Sequence, residues 1–391
     1  MTKIYASLIM KNEVANLERC LRNIASVVDG YCIQDNGSSD GSQELAKSVL
    51  EDIGKPYRVY SSKWYDFGTN RTMCLKETAH FARQHFRIDI NSPITYQEYE
   101  DIKDDKVYFL VTDMDNILHG TFSADTLNDD GYYIESRRSG CIYMTQNLLK
   151  YDLLGYATWI YSRSIHEYAS WVRRDLELTV GTLKDCYIEY GRNGARSRDP
   201  STTYTDLMYL SNDRAVYGDH NGVDSRSDFY TAQSYRDMGE REASKHWYLI
   251  RARNTEGYID ERYVSYRAAA NMTDRNTPEY LELLLEGFNL GRPRFEIAHD
   301  IVKYFRYRDL NLIAWSMVSS LSVIKPPPGQ LFMDGDINAF KFYDEASIAA
   351  YYSGDYKSSL RLCDLALECD TMSDENRERI ISNRAFSVDR V

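Results

Sequence analysis

The fold of this chain is decided by the stretch VYFLVTDMD at residues 107–115, where an apolar run ends abruptly in Asp113 and Asp115. A short apolar run that stops at polar residues predicts a buried strand. In a parallel sheet the carboxyl end of a strand faces the ligand crevice, and two acids there suit a divalent cation. An Asp-x-Asp pair alone is weak evidence for a metal site, so the interpretation depends on its surroundings.

The residues before this stretch alternate between strand and helix patterns. Residues 3–10 (KIYASLIM) and 30–34 (GYCIQ) are short apolar runs followed by polar turns, which predicts two buried strands. A helix is predicted after each turn, because apolar side chains recur there at spacings of three and four. The first helix is expected to bury a stripe of Val14, Leu17, Leu21 and Ile24. This alternation predicts an α/β domain with a parallel sheet and ligands at the strand ends.

Five motifs, taken in order along the chain, resemble those of the GT-A fold family 2 glycosyltransferases, in the subgroup marked by Lys-Asn-Glu after the first strand. They are KNE at 11–13, QDNGSSDG at 34–41, WYDFGTNR at 64–71, DMDN at 113–116 and IHE at 165–167. The resemblance implies a Rossmann-like GT-A domain with a mostly parallel sheet in residues 1–210. It also implies an all-α, tetratricopeptide-like domain in residues 211–391.

The same resemblance implies a hexosyltransferase that uses a nucleotide sugar, UDP-linked such as UDP-glucose, together with Mn2+ or Mg2+. A cation suits this chemistry because the diphosphate leaving group gains negative charge as the sugar bond breaks. The implied metal ligands are Asp115, Asp113 and His166. The implied nucleotide-binding residues are Asn12, Glu13, Asp35, Asn70, Arg71 and Asp113. Acceptors of such enzymes include glycans, peptides, lipid-linked glycans and modified bases.

Several roles have alternatives that the sequence leaves open. An inverting transfer needs a base for the acceptor's proton, and Glu167 is the expected base, with His166 as the other candidate. A lone histidine is also often a hydrogen-bonded structural residue. Arg71 is expected to contact the phosphates as a bidentate donor, or else to form a surface ion pair with Glu77 or Asp66.

The chain departs from the family pattern at two positions. The turn after the second strand often has two acids in the family, whereas here the second position is Asn36. Tyr190 stands where a histidine is expected shortly before the segment NGARS at 193–197. The contacts to the base and the completion of the metal site are therefore the two features in which this chain is expected to differ.

Beyond Arg196 the pattern changes to helical periodicity with regularly spaced aromatic residues. Residues 229–248 predict two helices joined by a turn at Gly239, and residues 349–367 predict a second pair with a turn at Gly354. Helical patterns also cover 279–288 and 296–306. Aromatic stripes at this spacing more often form a core than a binding surface. Stacked helices often extend to another chain, so a homodimer through the C-terminal helices is expected.

The composition agrees with a globular protein of two or three domains, with 43% hydrophobic and 27% charged residues in 391. The net charge of −12 gives no electrostatic reason to bind nucleic acid or an anionic membrane. No stretch predicts a membrane span and the start lacks a signal-peptide pattern, so a cytoplasmic location is expected. Seven scattered cysteines predict reduced, mostly buried thiols.

Two other functions compete with the glycosyltransferase interpretation. A helical-repeat binding protein with a catalytically impaired N-terminal domain is disfavoured by the presence of Asp35, Asp113, Asp115 and Glu167, but is kept open by the two departures. A sugar nucleotidyltransferase is expected to carry a glycine-rich, arginine-bearing loop after the first strand. This chain has MKNE at residues 10–13 instead.

Overall fold

The chain divides into two compact units. One consists of Met1–Arg138 with Met144–Tyr217, and the other of Ser139–Tyr143 with Gly218–Val391. The computed structural model describes residues 1–86, 97, 100–101, 104–138, 141–153, 158–173, 175–191, 193–199, 201–219, 224–291, 294–321, 330 and 332–391. No helix among these described residues is long and apolar enough to cross a bilayer.

The first unit is built from a sheet with helices. Its strands and helices are, in chain order, β1 (Thr2–Met10), α1 (Leu17–Ile24), β2 (Gly30–Asp35), α2 (Ser42–Ile53), β3 (Tyr57–Ser61), α3 (Phe67–His85), β4 (Lys106–Val111), β5 (Ile117–Gly120), β6 (Gly131–Arg138), β7 (Cys141–Tyr151, whose first residues belong to the second unit), β8 (Trp159–Ser162), β9 (Tyr168–Trp171), β10 (Val180–Glu189) and α4 (Thr202–Tyr217).

The sheet is mixed and mostly parallel, as the alternation of strands and helices predicts. Its strand order is β3-β2-β1-β4-β7-β6-β10-β5, and the first four strands in this order are mutually parallel. β7 then runs antiparallel to β4, and β5 antiparallel to β10. β8 and β9 form a separate two-stranded sheet. The carboxyl ends of β1 to β4 therefore share one edge, where ligands bind in sheets of this kind.

Alternation along the strands places apolar side chains on both faces of the sheet. In β1, Ile4, Ala6 and Leu8 pack with α1 and α2, whereas Tyr5 packs with the apolar side of α3. The predicted stripe of the first helix is confirmed at Leu17, Leu21 and Ile24. It is wrong at Val14, whose side chain is 41% exposed, because the helix begins only at Leu17 after a turn.

The second unit is mainly helical. Its elements are α5 (Ser225–Asp237), α6 (Arg241–Arg253), α7 (Ile259–Asn271), α8 (Pro278–Phe288), α9 (Phe295–Arg306), α10 (Asn311–Val318), the two-residue strand β11 (Met333–Asp334), a π-helical turn (Ile337–Lys341), α11 (Phe342–Tyr352), α12 (Tyr356–Leu367) and α13 (Asp374–Val388). The two predicted helix pairs are confirmed as α5–α6 and α11–α12. Gly239 and Gly354 lie in their turns with φ of 81° and 83°, a conformation that favours glycine.

Candidate active site

The turns after β1 and β2 are locked together by side chains that follow each strand. Asn12 donates its backbone N–H to Ser38 Oγ (2.9 Å), and its side-chain Oδ1 accepts from the Ser39 N–H (2.8 Å). The Glu13 N–H donates to Ser42 Oγ at 2.8 Å. Asp35 is buried at the end of β2 and accepts from the Ser38 N–H at 3.2 Å. Asn12 thus fixes the shape of this edge, and its side chain already has a protein partner.

Arg71 lies in the first turns of α3 and joins two acids that are distant in sequence. Its Nε donates to Glu167 Oε1 (2.6 Å) and its Nη2 donates to Asp113 Oδ1 (2.5 Å). The arginine is only 8% exposed, and its Nη1 has no partner among the described residues. Burial by itself lowers the pKa of this guanidinium, but the charges of Asp113 and Glu167 raise it well above its ordinary value.

Neither partner expected for a surface ion pair of Arg71 is used. Asp66 instead caps α3, where its carboxylate accepts from the Thr69 N–H at 2.7 Å. Glu77 pairs with Arg58 at 3.0 Å. Arg71 does not pair with Glu77 because the two residues lie on different faces of α3: Arg71 is on the buried face and Glu77 is not. A buried arginine needs acidic partners, and here they come from the segments that follow β4 and β8: Glu167 is largely buried and Asp113 is partly exposed.

Glu13 and Asp115 hold the segment of residues 193–195 against the strand ends. Asp115 Oδ2 accepts from the Gly194 N–H (3.2 Å), and Glu13 Oε1 accepts from the next N–H, that of Ala195 (2.9 Å). Asn16 completes the arrangement, since its Nδ2 donates both to Glu13 Oε2 (2.9 Å) and to the Asn193 carbonyl (3.1 Å). Two acids of the predicted site are therefore brought close together by consecutive backbone amides.

The site has an excess of negative charge. Burial, followed by the repulsion of Asp113, raises the pKa of Asp115 above its ordinary value. Burial also raises the pKa of Glu13, and the charge of Asp115 adds to this increase. Arg71 lies between Asp113 and Glu167, whereas the charges of Arg19 and Arg198 act on Asp115 and Glu13 and offset part of these increases in pKa. A group that brings positive charge would relieve this repulsion.

The acidic residues have the chemistry to bind a divalent cation, but their side chains are not arranged around a common metal position in the described parts of the chain. Carboxylate oxygens are the ligands that Mg2+ and Mn2+ prefer, and the Asp113 side chain is 41% exposed despite its bond to Arg71. Within the described parts of the chain, however, no three His, Cys, Asp or Glu side chains are grouped as metal ligands. His166 has a left-handed backbone (φ 51°) and belongs to no such group there.

Asn70 and Tyr190 have partners that the sequence does not reveal. The Asn70 side chain accepts from the N–H groups of Tyr65 and Asp66 and donates to the Lys63 carbonyl, so it shapes the loop before α3. Tyr190 is a partly buried residue whose phenol lies close enough to Asp113 to feel its charge. Burial and then the charge of Asp113 raise its pKa, while hydrogen bonds with the polar side chains of β6 and β7 lower it.

Sequence reasoning missed three contributors to this site. Asn16, in the turn before α1, binds Glu13 and the Asn193 carbonyl as described above. Arg19, within α1, donates from Nη2 to the Asp115 carbonyl at 2.8 Å. Gly191 is the third, because its backbone lies against Asp115. The signal for Asn16 and Arg19 is their place in the stretch VANLER at 14–19, where polar residues alternate with apolar ones just after the Lys-Asn-Glu motif; Gly191 has no such signal.

Gly191 offers a test of how tightly Asp115 is held. A Cβ at position 191 would lie 2.3 Å from the Asp115 carbonyl oxygen, whereas a Cβ at 194 would lie 3.1 Å from Asp115 Oδ2. Gly191→Ala is therefore expected to lower the free energy of unfolding by about 1–3 kcal/mol. Gly194→Ala, the matched control, meets side-chain ends that can move and is expected to cost less. Urea unfolding measures both, and equal effects would contradict the contact with Asp115.

Comparisons with known proteins add little to this geometry. No family model and no curated protein matches the chain. Among solved structures it is similar to TTC0263, described as a thermophilic TPR protein in Thermus thermophilus, at 11% identity and a TM-score of 0.29, over 46% of this chain and 90% of that one. It is also similar to BtubC (BKLC) from P. vanneervenii, at 14% identity and a TM-score of 0.33, over 50% of this chain and 84% of that one. Likeness this distant decides neither fold nor function.

Proposed function

We propose that the first unit is an inverting, divalent-metal-dependent glycosyltransferase of GT-A type. It moves a hexose from a nucleotide sugar, UDP-linked, to an acceptor hydroxyl or amine. The observation that carries the proposal is the bridge from Arg71 to Asp113 and Glu167 at the carboxyl edge of the sheet. Three residues from three motifs of the resemblance meet there, together with Asp115 and Glu13.

The charge of the site argues for a cation beside the donor. A diphosphate would be repelled by the four carboxylates of the site (Glu13, Asp113, Asp115 and Glu167), whose charge Arg71, Arg19 and Arg198 offset only in part. Asp115 and Asp113 are the residues that would hold Mg2+ or Mn2+, with Glu13 next to them. The cation supplies Lewis-acid stabilisation of the departing diphosphate. The Nη1 of Arg71, which has no partner among the described residues, is the donor that remains for a phosphate oxygen.

Glu167 is the proposed base. Its Oε1 is held by Arg71 Nε at 2.6 Å, which fixes the direction of the carboxylate and leaves Oε2 for the acceptor's proton. Arg71 thereby acts as a positioning residue for Glu167. The base must reach the face of the sugar opposite the diphosphate, and one arginine that contacts both Glu167 and Asp113 sets their separation.

Glu167→Gln tests the role of the base. The amide keeps the shape of the side chain but cannot take a proton, so donor binding is expected to persist while transfer falls by about 100-fold or more. Product formation and nucleotide binding measured on the same preparation separate the two effects. Glu189→Gln, at an exposed glutamate of β10, is the control and is expected to change neither. Intact transfer in Glu167→Gln would assign the base to another group.

The activity itself is tested with a panel of nucleotide sugars and Mn2+, with release of nucleotide as the measurement. UDP release is expected from the wild-type chain and is expected to stop on addition of excess chelator. Release at full rate in chelator would refute the metal dependence. Absence of release from every donor, with and without candidate acceptors, would refute the proposal.

For the second unit we propose a tetratricopeptide-like architecture, supported by consecutive helix pairs with left-handed glycines in their turns. Its binding role is the second candidate function. One extended segment of the chain already contacts helices of this unit: Phe332 stacks on Phe229, and the Asp334 N–H donates to Glu296. A homodimer through the last helices stays a prediction. Ile381 and Phe386 of α13, both exposed, are the residues to examine for it.

A further inference from the structure

The loop that carries Glu167 has a backbone conformation that few side chains favour. It joins β8 to β9, and within it Arg163 and His166 have φ of 80° and 51°, in the left-handed region. For residues other than glycine this conformation costs free energy, so a loop with two such residues needs contacts that hold it in place. The contacts of the β8–β9 loop therefore decide where Glu167 lies.

Asp213 of α4 holds the middle of this loop. Its two carboxylate oxygens both accept from the Ser164 N–H, at 3.0 and 2.9 Å, and its Oδ1 also accepts from the Ser164 hydroxyl at 2.7 Å. Asp213 is only 3% exposed. Because Ser164 occupies both oxygens and the residue is buried, Asp213 is not a candidate for the base itself.

The other side of the loop lies against the first turn of α3, the helix that carries Arg71. The Phe67 N–H donates to the Ser164 carbonyl at 3.0 Å. The backbone of Gly68 lies so close to the carbonyl before Ser164 that a Cβ at position 68 would collide with it. Ser164 is thus fixed at both its N–H and its carbonyl, between α4 and α3. These contacts place the loop so that Glu167 reaches Arg71.

The charge of Asp213 does not benefit the fold. Burial raises the pKa of this carboxyl above its ordinary value, although the hydrogen bonds with Ser164 and the charge of Arg163 lower it in part. A carboxyl with a raised pKa is less favourable as an anion in the folded chain than in water, so its ionisation costs stability. A carboxylate that is buried at such a cost favours a role in function over a role in stability.

We propose that Asp213 is a positioning residue for the transfer reaction, which sets the place of Glu167 through Ser164. The inference rests on the proposed function, since it concerns the base of that reaction. Without the carboxylate, the loop loses the acceptor that holds its left-handed backbone, and Glu167 leaves the position in which Arg71 fixes it. Other residues hold the turns after β1 and β2, so binding of the nucleotide is spared.

The test separates the rate of reaction from binding. Release of UDP from the nucleotide sugar that is active in the panel, in Mn2+, gives kcat and the donor KM, and calorimetry gives the affinity for UDP. Asp213→Ala is expected to lower kcat by at least about tenfold, with the donor KM and the affinity for UDP within about twofold of wild type.

Asp213→Asn covers the case in which Asp213→Ala does not fold. The amide keeps one oxygen for the Ser164 N–H and removes the costly charge. It is therefore expected to keep the melting temperature of the wild type and to lower kcat by about threefold, less than alanine does.

Ser164→Ala tests the path from Asp213 to the loop. It removes the hydroxyl but leaves the N–H, so it is expected to lower kcat by about threefold. In an Asp213→Ala background it is expected to have no further effect, because the acceptor of the hydroxyl is already gone. Asn212→Ala is the matched control, since Asn212 is the exposed neighbour of Asp213 on α4, and it is expected to change none of these quantities.

The outcomes distinguish this inference from the proposed function. Unchanged kcat in Asp213→Ala and Asp213→Asn would overturn the positioning role and leave the glycosyltransferase proposal in place. A loss of kcat with an equal loss of affinity for UDP would also overturn it, because Asp213 would then support the whole site. Independent losses of kcat in the Ser164 and Asp213 variants would exclude the path through Ser164. Failure of the wild-type chain to bind UDP and to release nucleotide would refute the proposed function, and the positioning role with it.

Discussion

Replacement of Arg71 by methionine is expected to lower the free energy of unfolding by about 3 kcal/mol and to abolish transfer. Methionine keeps much of the apolar stem but removes the donors that hold Glu167 and Asp113. The Glu167 side chain is 12% exposed, so its charge would remain buried without a partner. Asp113 is more exposed and adds less to the cost. Urea unfolding followed by fluorescence measures the change.

The matched control is Arg58→Met. Arg58 also forms an ion pair within this unit, with Glu77 at 3.0 Å, but both side chains are more exposed (40% and 30%) than those of Arg71 and Glu167. Its replacement is expected to cost no more than about 1 kcal/mol. A second comparison isolates the cause: in a Glu167→Gln background, the cost of Arg71→Met should shrink by about 1 kcal/mol or more. Equal costs for the two arginines, or no change in the Glu167→Gln background, would contradict the proposed role of the pair.

Asp115→Asn is expected to abolish transfer while it stabilises the fold. The pKa of Asp115 is raised in the folded chain by burial and by Asp113. A raised carboxyl pKa means that the folded state holds the proton more tightly than the unfolded state. Stability therefore falls as the pH rises through the window between the unfolded pKa and this raised value, and the loss is complete above the raised value. Asparagine removes the charge and keeps an oxygen for the Gly194 N–H.

Two measurements check this pair of effects. A gain of about 1 kcal/mol would raise the melting temperature by about 2–4 °C, and nucleotide release would fall by about 100-fold or more. Asp125→Asn, at an exposed aspartate, is the control for loss of one charge and is expected to change neither quantity. A destabilised Asp115→Asn variant would mean that the carboxylate contributes to the fold. Full activity in that variant would remove Asp115 from the metal site.

The strands that carry the site were predictable because their patterns are local. Apolar runs that end in polar turns at Met10, Asp35 and Val111 correspond to strand ends in the folded chain. Parallel pairing of these strands brings their ends to one edge, so the meeting of Glu13, Asp35 and Asp113 at that edge follows from the pattern. The error at Val14 is also local, because a turn delays the start of α1 by a few residues.

The partners of individual side chains were less predictable. Asn12 and Asn70, expected at the nucleotide, use their amides to shape loops. His166 joins no metal-binding group in the described part of the chain. A polar residue beside a predicted site has many local hydrogen-bond groups within reach, and its sequence position does not say whether they or a ligand are used.

By itself, the sequence determined the first strands and helices, several of the later helices, the change from one kind of architecture to the other and the edge at which the acids gather, because periodicity and turn residues are local properties of the chain. Only the tertiary structure decided that Arg71 holds Asp113 and Glu167, which are 42 and 96 residues away. It also decided that the Asn36 amide is left without a partner among the described residues. The Arg71 ion pairs depend on where distant elements lie in the fold, and the state of the Asn36 amide depends on which polar groups are buried away from water. A local sequence pattern encodes neither of these properties.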